Sequence, residues 1–345
     1  MQTEDKALPP GVTTPAEGFL SLFEPLPVGL APMAGFTTAP FRTIAADLGA
    51  SFTVTELVSV RGIRHDPGLL RSGRYLQATG GGKPWGIQLF GRDPDDYIFA
   101  IDRLMQEPDY RTAAFIDINM GCPAPKVLRE GGGCALMGDG DLVSRIVRAS
   151  VKAARPCGLP VTVKIRSGLS PERINALEIA RRAEEEGAAA VAVHARTLNQ
   201  YYAGQANWQV IRQVKENLSI PVLGNGDLAQ PGDLEKMRAM TACDGFLVGR
   251  AARGNPFIFR QLRGGPPAGP EEWLAVMNRH LEASMAHLGE PVAVREMRSH
   301  FAFYLRGYPG SSEDRRKVME ALTASQVREI LQAAARRRSE AALLY

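Results

Sequence analysis

Long apolar runs and cysteines are both scarce in this sequence of 345 residues. No uninterrupted apolar run reaches the roughly 18 residues that a membrane-spanning helix needs, so we expect no such helix. Residues 1–20 contain Glu4, Asp5 and Glu17 and lack a long apolar stretch, which disfavours a secretory signal. Four cysteines are too few for a disulfide framework, and we therefore expect a protein of the reducing cytoplasm.

Neither sign of charge dominates the sequence, and two common nucleotide-binding motifs are missing. Lysine and arginine number 41 against 37 acidic residues, a balance that permits a polyanionic partner without indicating one. There is no G-x-G-x-x-G fingerprint after an apolar run and no P-loop, which disfavours a tightly held Rossmann dinucleotide. The cysteine spacings match no zinc pattern, so we predict no metal site. With 45% hydrophobic residues, the chain has enough apolar side chains for a sizeable core.

Short apolar runs of strand length alternate with segments of helical periodicity through residues 1–250. The clearest helical segment is predicted to start at Ser170-Pro171 and to end at Gly187. Near-continuous apolar strands between helices indicate a parallel sheet that is buried on both faces. The pattern predicts an α/β fold, a closed (β/α)8 TIM barrel, with an open doubly wound sheet as the alternative. The eight runs are Val28–Pro32, Ser51–Leu57, Trp85–Phe90, Ala114–Asn119, Val161–Ile165, Ala189–His194, Ile220–Gly224 and Gly245–Val248.

A segment rich in glycine and proline, residues 263–270, separates the barrel pattern from a purely helical one. Beyond it, two apolar stripes and two helix starts, near Ser311 and Thr323, predict a small all-α helical bundle. Gln326 follows Thr323 at the spacing of a capping box. The predicted division is an N-terminal extension (1–25), a catalytic barrel (26–262) and a C-terminal helical domain (271–345).

Polar or flexible residues lie at the carboxyl end of every predicted strand. Since the carboxyl ends of parallel barrel strands meet at one mouth, we expect these residues to converge there. In chain order they are Met33, Glu56, Gln88, Asn119, Lys164 with Arg166, His194 with Arg196, Asn225 with Asp227, and Gly249 with Arg250.

The last two of these strand ends have the features of a phosphate site. Residues 224–227 and 248–254 are glycine-rich segments after the seventh and eighth predicted strands. Barrel loops at these positions commonly bind phosphate through backbone N–H groups and a helix N-terminus, and Arg250 adds a charged donor. We therefore predict a cofactor or substrate that carries phosphate.

One cysteine lies where a reactive thiol is useful. In the segment Asn119-Met120-Gly121-Cys122-Pro123, Cys122 follows a strand end and precedes a glycine-rich loop. This position favours a functional thiol over the buried packing role that is usual for free cysteines and that suits Cys157 and Cys243. Cys134 lies on the same loop, with core packing as its default role.

Lys164 and His194 are the other candidate functional side chains at the mouth. Strand alternation puts Lys164 on the face opposite to Val163 and Ile165, so that it points into the barrel. An unpaired buried ammonium is costly, so Lys164 either forms a Schiff base or acts as a fixed cation beside an anionic cofactor, unless it is an ordinary surface lysine. His194 is either a satisfied core residue or part of the site.

Taken together, these segments resemble the tRNA-dihydrouridine synthase family, bacterial type, over nearly the whole chain. The most specific feature is the combination of Asn119-x-Gly-Cys-Pro with His194-x-Arg-Thr. The C-terminal helices are also similar to the helical RNA-binding domain of that family. The other matching segments are Ala31–Gly35 with Pro40–Arg42, Thr55–Val58, Gly86–Leu89, Lys164–Arg166, Gly204 with Trp208, Asn225–Asp227 and Gly249-Arg250.

The resemblance implies an FMN-dependent oxidoreductase that reduces the 5,6 double bond of specific uridines in tRNA to 5,6-dihydrouridine. NADPH is the implied reductant, and NADH is an alternative. By matched position, Cys122 is the implied proton donor, and Asn119 and Arg196 are implied to bind the substrate. A thiol with an ordinary pKa of about 8.5 is mostly protonated at neutral pH and suits a general acid. The residues implied to hold FMN are Pro32, Met33, Gln88, Lys164, His194, Asn225, Gly226, Asp227, Gly249 and Arg250.

The implied partners are tRNA and NADPH, with no membrane, no obligate protein partner and a monomer as the default. Tyr201 and Tyr202 are candidates for stacking on RNA, and the clusters 315–317 and 336–338 are candidates for phosphate contacts. Three alternatives stay open. They are a flavin barrel that acts on a free pyrimidine or another small molecule, a Schiff-base aldolase built on Lys164, and a non-catalytic RNA-binding protein.

Overall fold

Eight parallel strand positions close into a barrel in the computed structural model, which describes residues 19–23 and 25–342. The barrel closes because the first strand pairs with the last, with Val28 beside Phe246 and Leu30 beside Val248. The second position is split into two short strands that both pair with the third position. The predicted TIM barrel is therefore confirmed. The strands are β1 (Val28–Leu30), β2 (Thr53–Val54), β3 (Val58–Ser59), β4 (Trp85–Phe90), β5 (Phe115–Met120), β6 (Val161–Ser170), β7 (Arg173–Ile174), β8 (Ala190–Thr197), β9 (Val222–Asn225) and β10 (Gly245–Val248).

Helices cover the outside of the barrel, and a further set follows its last strand. Among the described residues, no helix is long and apolar enough to cross a membrane. Short 3-10 turns lie at Tyr110–Thr112, Gly133–Gly138, Arg155–Cys157 and Arg250–Ala252. The helices are α1 (Ala39–Asp47), α2 (Val60–His65), α3 (Gly73–Leu76), α4 (Pro94–Met105), α5 (Pro125–Arg129), α6 (Gly140–Ala154), α7 (Ala176–Glu185), α8 (Trp208–Lys215), α9 (Asp233–Thr241), α10 (Ile258–Gln261), α11 (Pro270–Leu288), α12 (Glu290–Tyr304), α13 (Ser311–Glu320) and α14 (Ala324–Ala342).

The predicted helix start at Ser170-Pro171 is wrong. Strand β6 continues to Ser170 and pairs antiparallel with the short strand β7, and helix α7 begins only at Ala176. Proline fixes φ at about −65°, which suits a turn as well as the first turn of a helix, so the Ser-Pro pair does not distinguish the two. The predicted end is confirmed, because α7 ends at Glu185 and Gly187 follows it with a φ of +90°.

Aromatic side chains fill the amino-terminal end of the barrel. Phe52 and Phe115 lie at the beginnings of barrel strands, and Phe19 and Phe23 from the chain before β1 pack onto them. The ring centroids are 5.4 Å apart for Phe19 and Phe115 and 4.7 Å apart for Phe23 and Phe52. The described part of the predicted N-terminal extension thus contributes Phe19 and Phe23 to the packing at this end of the barrel. Its other residues, 1–18 and 24, lie outside the described residues.

Helices α11 to α14 pack together and against helix α1. Their apolar side chains form one core cluster, which also includes Ile44 of α1. Thr323 and Gln326 form the predicted capping box before α14. The Gln326 N–H donates to Thr323 Oγ1 at 3.3 Å, and the Thr323 N–H donates to Gln326 Oε1 at 3.3 Å. The sequence signals for these helices are therefore confirmed.

The C-terminal helices contact the mouth of the barrel directly. Arg74 of α3 donates to both carboxylate oxygens of Glu296 in α12, at 2.8 and 2.9 Å. Gly254, which follows β10, lies so close to α12 that a Cβ atom there would be 2.4 Å from the Phe303 carbonyl. Its φ of +74° also favours glycine. These contacts place α12 beside the mouth, while the domain boundaries themselves remain a prediction.

Candidate active site

A cavity of about 710 Å³ opens at the carboxyl ends of the barrel strands. The strand ends therefore meet at one mouth, because all the barrel strands run parallel. Every residue that the sequence assigned to catalysis, substrate binding or FMN binding lines this cavity except Arg196. Those lining residues are Pro32, Met33, Gln88, Asn119, Cys122, Lys164, His194, Asn225, Gly226, Asp227, Gly249 and Arg250. Glu56, also expected at the mouth, lines a neighbouring cavity instead.

Positive charge dominates the lining of this cavity. Among the described residues, Asp227 is the single carboxylate in the lining. The pKa of His194 lies well below its usual value because the ring is buried and because nearby lysine and arginine side chains oppose a further positive charge. His194 is therefore neutral at physiological pH, and the cavity suits an anionic ligand such as a phosphate group. The cationic lining residues are Lys164, Arg166, Arg250, Arg253 and Arg306.

A chain of hydrogen bonds runs from inside the barrel to the loop that carries Cys122. Thr162 Oγ1 donates to Asp117 Oδ1 at 2.7 Å, and Gln88 Nε2 donates to Asp117 Oδ2 at 2.6 Å. Asn119 Nδ2 donates to Gln88 Oε1 at 2.8 Å, and Asn119 Oδ1 accepts from the Cys122 N–H at 2.9 Å. This buried network fixes the orientation of Gln88 and Asn119 and positions the Cys122 backbone at the end of β5.

Lys164 is a cation of strand β6 in the lining of the cavity. Burial lowers the pKa of Lys164 and the nearby Arg166 lowers it further, whereas Asp117 and Cys122 act in the opposite direction. Burial raises the pKa of Asp117, although hydrogen bonds to its carboxylate oppose this. A buried ammonium beside a second cation is stabilised when an anion binds next to it. The lowered pKa by itself also suits a Schiff-base lysine.

Cys122 lies at the junction of two cavities. It lines the cavity described above and also a second cavity of about 680 Å³ between the barrel and the C-terminal helices. Glu56, Arg74 and Glu296 line this second cavity. Burial raises the pKa of the Cys122 thiol, although a backbone N–H and two nearby cations act against it. The thiol is therefore protonated at neutral pH and accessible from both cavities.

The other three cysteines do not line the first cavity. Cys134 is buried with its sulfur 3.9 Å from that of Met137, and burial raises its pKa to about 12. Cys243 is buried as expected, but Cys157 is exposed, so the expectation of a buried Cys157 is wrong. Cys157 ends the 3-10 turn after α6, where the chain turns back on the protein surface, and apolar neighbours in sequence do not bury such a position.

The sequence is related to one enzyme family over most of its length. The sequence model of the dihydrouridine synthases matches residues 29–340. The chain belongs to the dihydrouridine synthase family. A probable tRNA-dihydrouridine synthase of Mycobacterium tuberculosis strain H37Rv is 39% identical over 308 residues, which cover 85% of this chain and 78% of the relative. Proteins named tRNA-dihydrouridine synthase B are 38% identical in Xanthomonas campestris (85% of this chain, 88% of the relative) and 39% identical in Pseudomonas aeruginosa (83% and 86%).

Membership of the dihydrouridine synthase family confirms the family expected from the motifs, but it does not test the role of Arg196. This side chain is buried outside the lining of the cavity and pairs with Asp227 through Nη1–Oδ1 and Nη2–Oδ2, both at 2.8 Å. It also donates to the carbonyl oxygens of Ala203 at 3.2 Å and Gly204 at 2.5 Å. Arg196 therefore holds the loop after β8 against Asp227, and a direct contact with substrate remains a prediction.

Arg166 lies at the mouth as its strand end predicts, but the sequence assigned it no role in the site. Its buried guanidinium donates to the carbonyl oxygens of Gly121 at 2.8 Å, Thr197 at 2.8 Å and Tyr201 at 2.9 Å. It thereby joins the loop after β5 to the loop after β8. Strand alternation places Arg166 on the cavity face of β6, and this signal is sufficient to find it.

The C-terminal helices contribute two further lining residues, Phe303 and Arg306, in this member of the dihydrouridine synthase family. Two guanidinium groups lie over the Phe303 ring, that of Arg306 at 4.2 Å and that of Arg253 at 4.5 Å from the ring centroid. No sequence signal indicates that residues so far beyond the last strand return to the mouth. Tyr201 and Tyr202 also line the cavity, and their stacking on RNA remains a prediction.

Proposed function

We propose that the chain reduces the 5,6 double bond of specific uridines in tRNA to 5,6-dihydrouridine, with bound FMN and with NADPH as the reductant. The observation that carries the proposal is the position of Cys122. Cys122, whose thiol is protonated, lines both the cationic cavity and the second cavity beside the C-terminal helices. The relatives named tRNA-dihydrouridine synthase support tRNA as the substrate class.

The charge and backbone of the first cavity fit FMN. Asp227 already pairs with Arg196 and, at 3.1 Å, with Arg250, so the remaining positive charge of the lining is available to a phosphate group. Gly226 has a φ of +125°, and a Cβ there would lie 2.9 Å from Ala206, so this loop requires glycine. When bound, FMN supplies the hydride that reduces the uracil ring. The residues that would hold it are Pro32, Met33, Gln88, Lys164, His194, Asn225, Gly226, Asp227, Gly249 and Arg250.

Cys122 supplies the proton in this proposal. Negative charge develops at C5 of the uracil ring as the double bond is reduced, and that carbon must receive a proton. The raised pKa keeps the Cys122 thiol protonated near neutral pH, and the hydrogen bond from its N–H to Asn119 fixes the loop. Asn119 Nδ2 carries a second N–H besides the one that binds Gln88, and this donor is suited to a uracil carbonyl.

Lys164 acts as a fixed cation rather than as a nucleophile in this proposal. A buried ammonium stabilises negative charge on an adjacent cofactor, which is a tuning role. The additional cation Arg166 lowers the pKa of Lys164 and increases the benefit of binding an anion there. The alternative aldolase would give a colourless protein that borohydride traps with its substrate, whereas the proposed enzyme is yellow.

The C-terminal helices form the proposed tRNA-binding domain, residues 271–345. Two of the three arginines in the candidate phosphate-binding cluster 336–338 already have partners within these helices. Arg337 pairs with the buried Asp314, and Arg338 lies 4.6 Å from the Trp273 ring. The exposed Arg336 is then the member of this cluster that is available to a phosphate. We further propose that the enzyme works as a cytoplasmic monomer.

The test compares the wild-type protein with Cys122→Ala and with the matched control Cys134→Ala. Each protein receives FMN, NADPH and an unmodified tRNA transcript, and dihydrouridine is mapped by nucleoside mass spectrometry. Wild type and Cys134→Ala should form dihydrouridine. Cys122→Ala should bind FMN and accept electrons from NADPH but lose product formation by about 10²- to 10⁴-fold, the usual contribution of a general acid.

Three results would contradict parts of this proposal. Unchanged product formation by Cys122→Ala would remove Cys122 from its role. Reduction of free uracil or uridine by the wild-type protein, without reduction of tRNA, would favour the small-molecule alternative. A wild-type protein that cannot retain FMN after reconstitution would exclude the flavin-dependent reaction altogether.

A further inference from the structure

An exposed leucine projects from the loop that follows helix α2. Leu70 is 90% exposed, the largest fraction of any large apolar residue in the described part of the chain. The next is Leu322, at 72%, in the turn between α13 and α14. An apolar side chain in contact with water gains free energy when a partner covers it.

The loop around Leu70 holds this side chain outward. The Asp66 carboxylate accepts the N–H groups of Leu70 at 3.1 Å, Arg71 at 2.8 Å and Ser72 at 3.0 Å. The preceding residue, Leu69, is buried and has a φ of +54°, a left-handed conformation that is unfavourable for leucine. The conformation of the loop therefore holds Leu70 in an exposed position.

This loop forms a rim of the second cavity, the one that Cys122 also lines. Arg71 and Arg74, which follow Leu70 in the chain, both line this cavity. Arg74 binds Glu296 of α12 at 2.8 Å, which places the rim between the barrel and the C-terminal helices. Leu70 thus stands beside one of the two approaches to the thiol.

The charges near Leu70 suit a polyanion. Arg71, the next residue, is exposed, lines the second cavity and forms no ion pair within residues 19–23 and 25–342, while the carboxylate of Asp66 is turned to the N–H groups of the loop. A free guanidinium group beside a cleft favours the phosphates of a nucleic acid. A protein or lipid partner would instead need a broad apolar patch, which a single leucine beside an arginine does not supply.

We propose that Leu70 is an apolar wedge that packs against the base beside the target uridine when that uridine leaves its stack. This proposal rests on the proposed function in tRNA. Withdrawing one base leaves its neighbour unstacked, and an apolar side chain in the vacated place recovers part of the lost contact. Arg71 contacts the adjacent phosphate. Leu70 thereby increases the fraction of bound tRNA that presents its uridine to the site, and it takes no part in the reaction itself.

The test uses full-length protein loaded with FMN and compares Leu70→Ala with Met240→Ala, which shortens another exposed apolar side chain, on helix α9 of the barrel. Leu70→Ala should lower kcat/KM for an unmodified tRNA transcript roughly tenfold, because the apolar contact with the base is lost. Met240→Ala should not change it. Leu70→Phe keeps an apolar wedge and should retain activity. NADPH-driven flavin reduction and the urea unfolding midpoint should match wild type in all three variants.

The salt dependence of tRNA binding distinguishes the apolar effect of Leu70 from the charge effect of Arg71. Leu70→Ala removes no charge and should leave the slope of affinity against salt unchanged, whereas Arg71→Ala should flatten it. Equal kcat/KM for Leu70→Ala and Met240→Ala would overturn the wedge and leave the proposed function intact. A matching loss of flavin reduction or of stability in Leu70→Ala would also overturn it, because it would reveal a structural role. Failure of the wild-type protein to form dihydrouridine would count against the proposed function before any variant is compared.

Discussion

Acid should weaken the contact between the barrel and the C-terminal helices through two buried histidines. His300 of α12 packs on Phe41 of α1 with ring centroids 5.2 Å apart, and on His280 of α11 at 4.5 Å. Both ring nitrogens of His300 and the Nε2 atom of His280 lack a hydrogen-bond partner among the described residues. Burial lowers the pKa of His300 to about 3, and burial also holds the pKa of His280 well below its usual value.

The sign and size of the effect follow from these pKa values. An unfolded histidine has a pKa of about 6.5, so below that pH the unfolded chain binds a proton that the folded chain does not. The contribution of His300 to stability is therefore complete above about pH 6.5 and is lost as the pH falls toward 3. At pH 5, about 1.5 pH units below 6.5 and at about 1.4 kcal/mol per unit, His300 alone should cost about 2 kcal/mol.

Urea unfolding of wild type and His300→Phe at pH 7.5 and pH 5.0 measures this effect. Phenylalanine keeps an aromatic ring and removes two unpaired buried nitrogens, so at pH 7.5 its free energy of unfolding should equal or exceed that of wild type. Between the two pH values, His300→Phe should lose about 2 kcal/mol less than wild type. His65→Ala, at an exposed position, should behave like wild type. Losses that agree within about 0.5 kcal/mol for wild type and His300→Phe would refute the reasoning.

Two further substitutions test the cationic cavity and the contact with α12. Lys164→Ala should weaken FMN retention roughly tenfold or slow flavin reduction, because a charged contact is lost. Titration followed by flavin absorbance measures it, and a fully yellow, fully active variant would contradict the assigned role. Gly254→Ala should lower the free energy of unfolding by at least about 2 kcal/mol, since its Cβ would lie 2.4 Å from the Phe303 carbonyl at a φ of +74°. Gly138→Ala, whose Cβ would meet no atom closer than 3.7 Å, is the control in urea unfolding, and equal stability of the two variants would be inconsistent with this contact.

The barrel was predictable from the sequence because its strands are buried on both faces. Runs such as Val161–Ile165 consist of residues that suit a strand with neighbours on either side, and they recur between helical segments. The boundaries were less predictable. Proline at position 171 suits a turn and a helix start equally, and only the pairing of β6 with β7 decides between them. Local signals therefore identified the elements but not each of their ends.

The candidate site was predictable in its membership and less so in its contacts. Strand order alone brings Gln88, Asn119 and Lys164 to one mouth, because parallel strands share a carboxyl-terminal end. The burial of Arg196 against Asp227 depends on a loop conformation that no periodicity encodes. The same holds for the return of Arg306 to the mouth, which depends on how whole helices pack rather than on any local pattern.

The pairing of the first and last barrel strands has a consequence for synthesis on the ribosome. Strand β1 can pair with β2 early, but its second partner, β10, is made only after the rest of the barrel. The side of α1 that carries Ile44 packs against helices from the C-terminal part of the chain, which are made last. During most of translation this side of α1 therefore lacks those partners and offers a binding site for chaperones. A premature stop codon that removes α11 and α12 would leave the same face permanently open to aggregation.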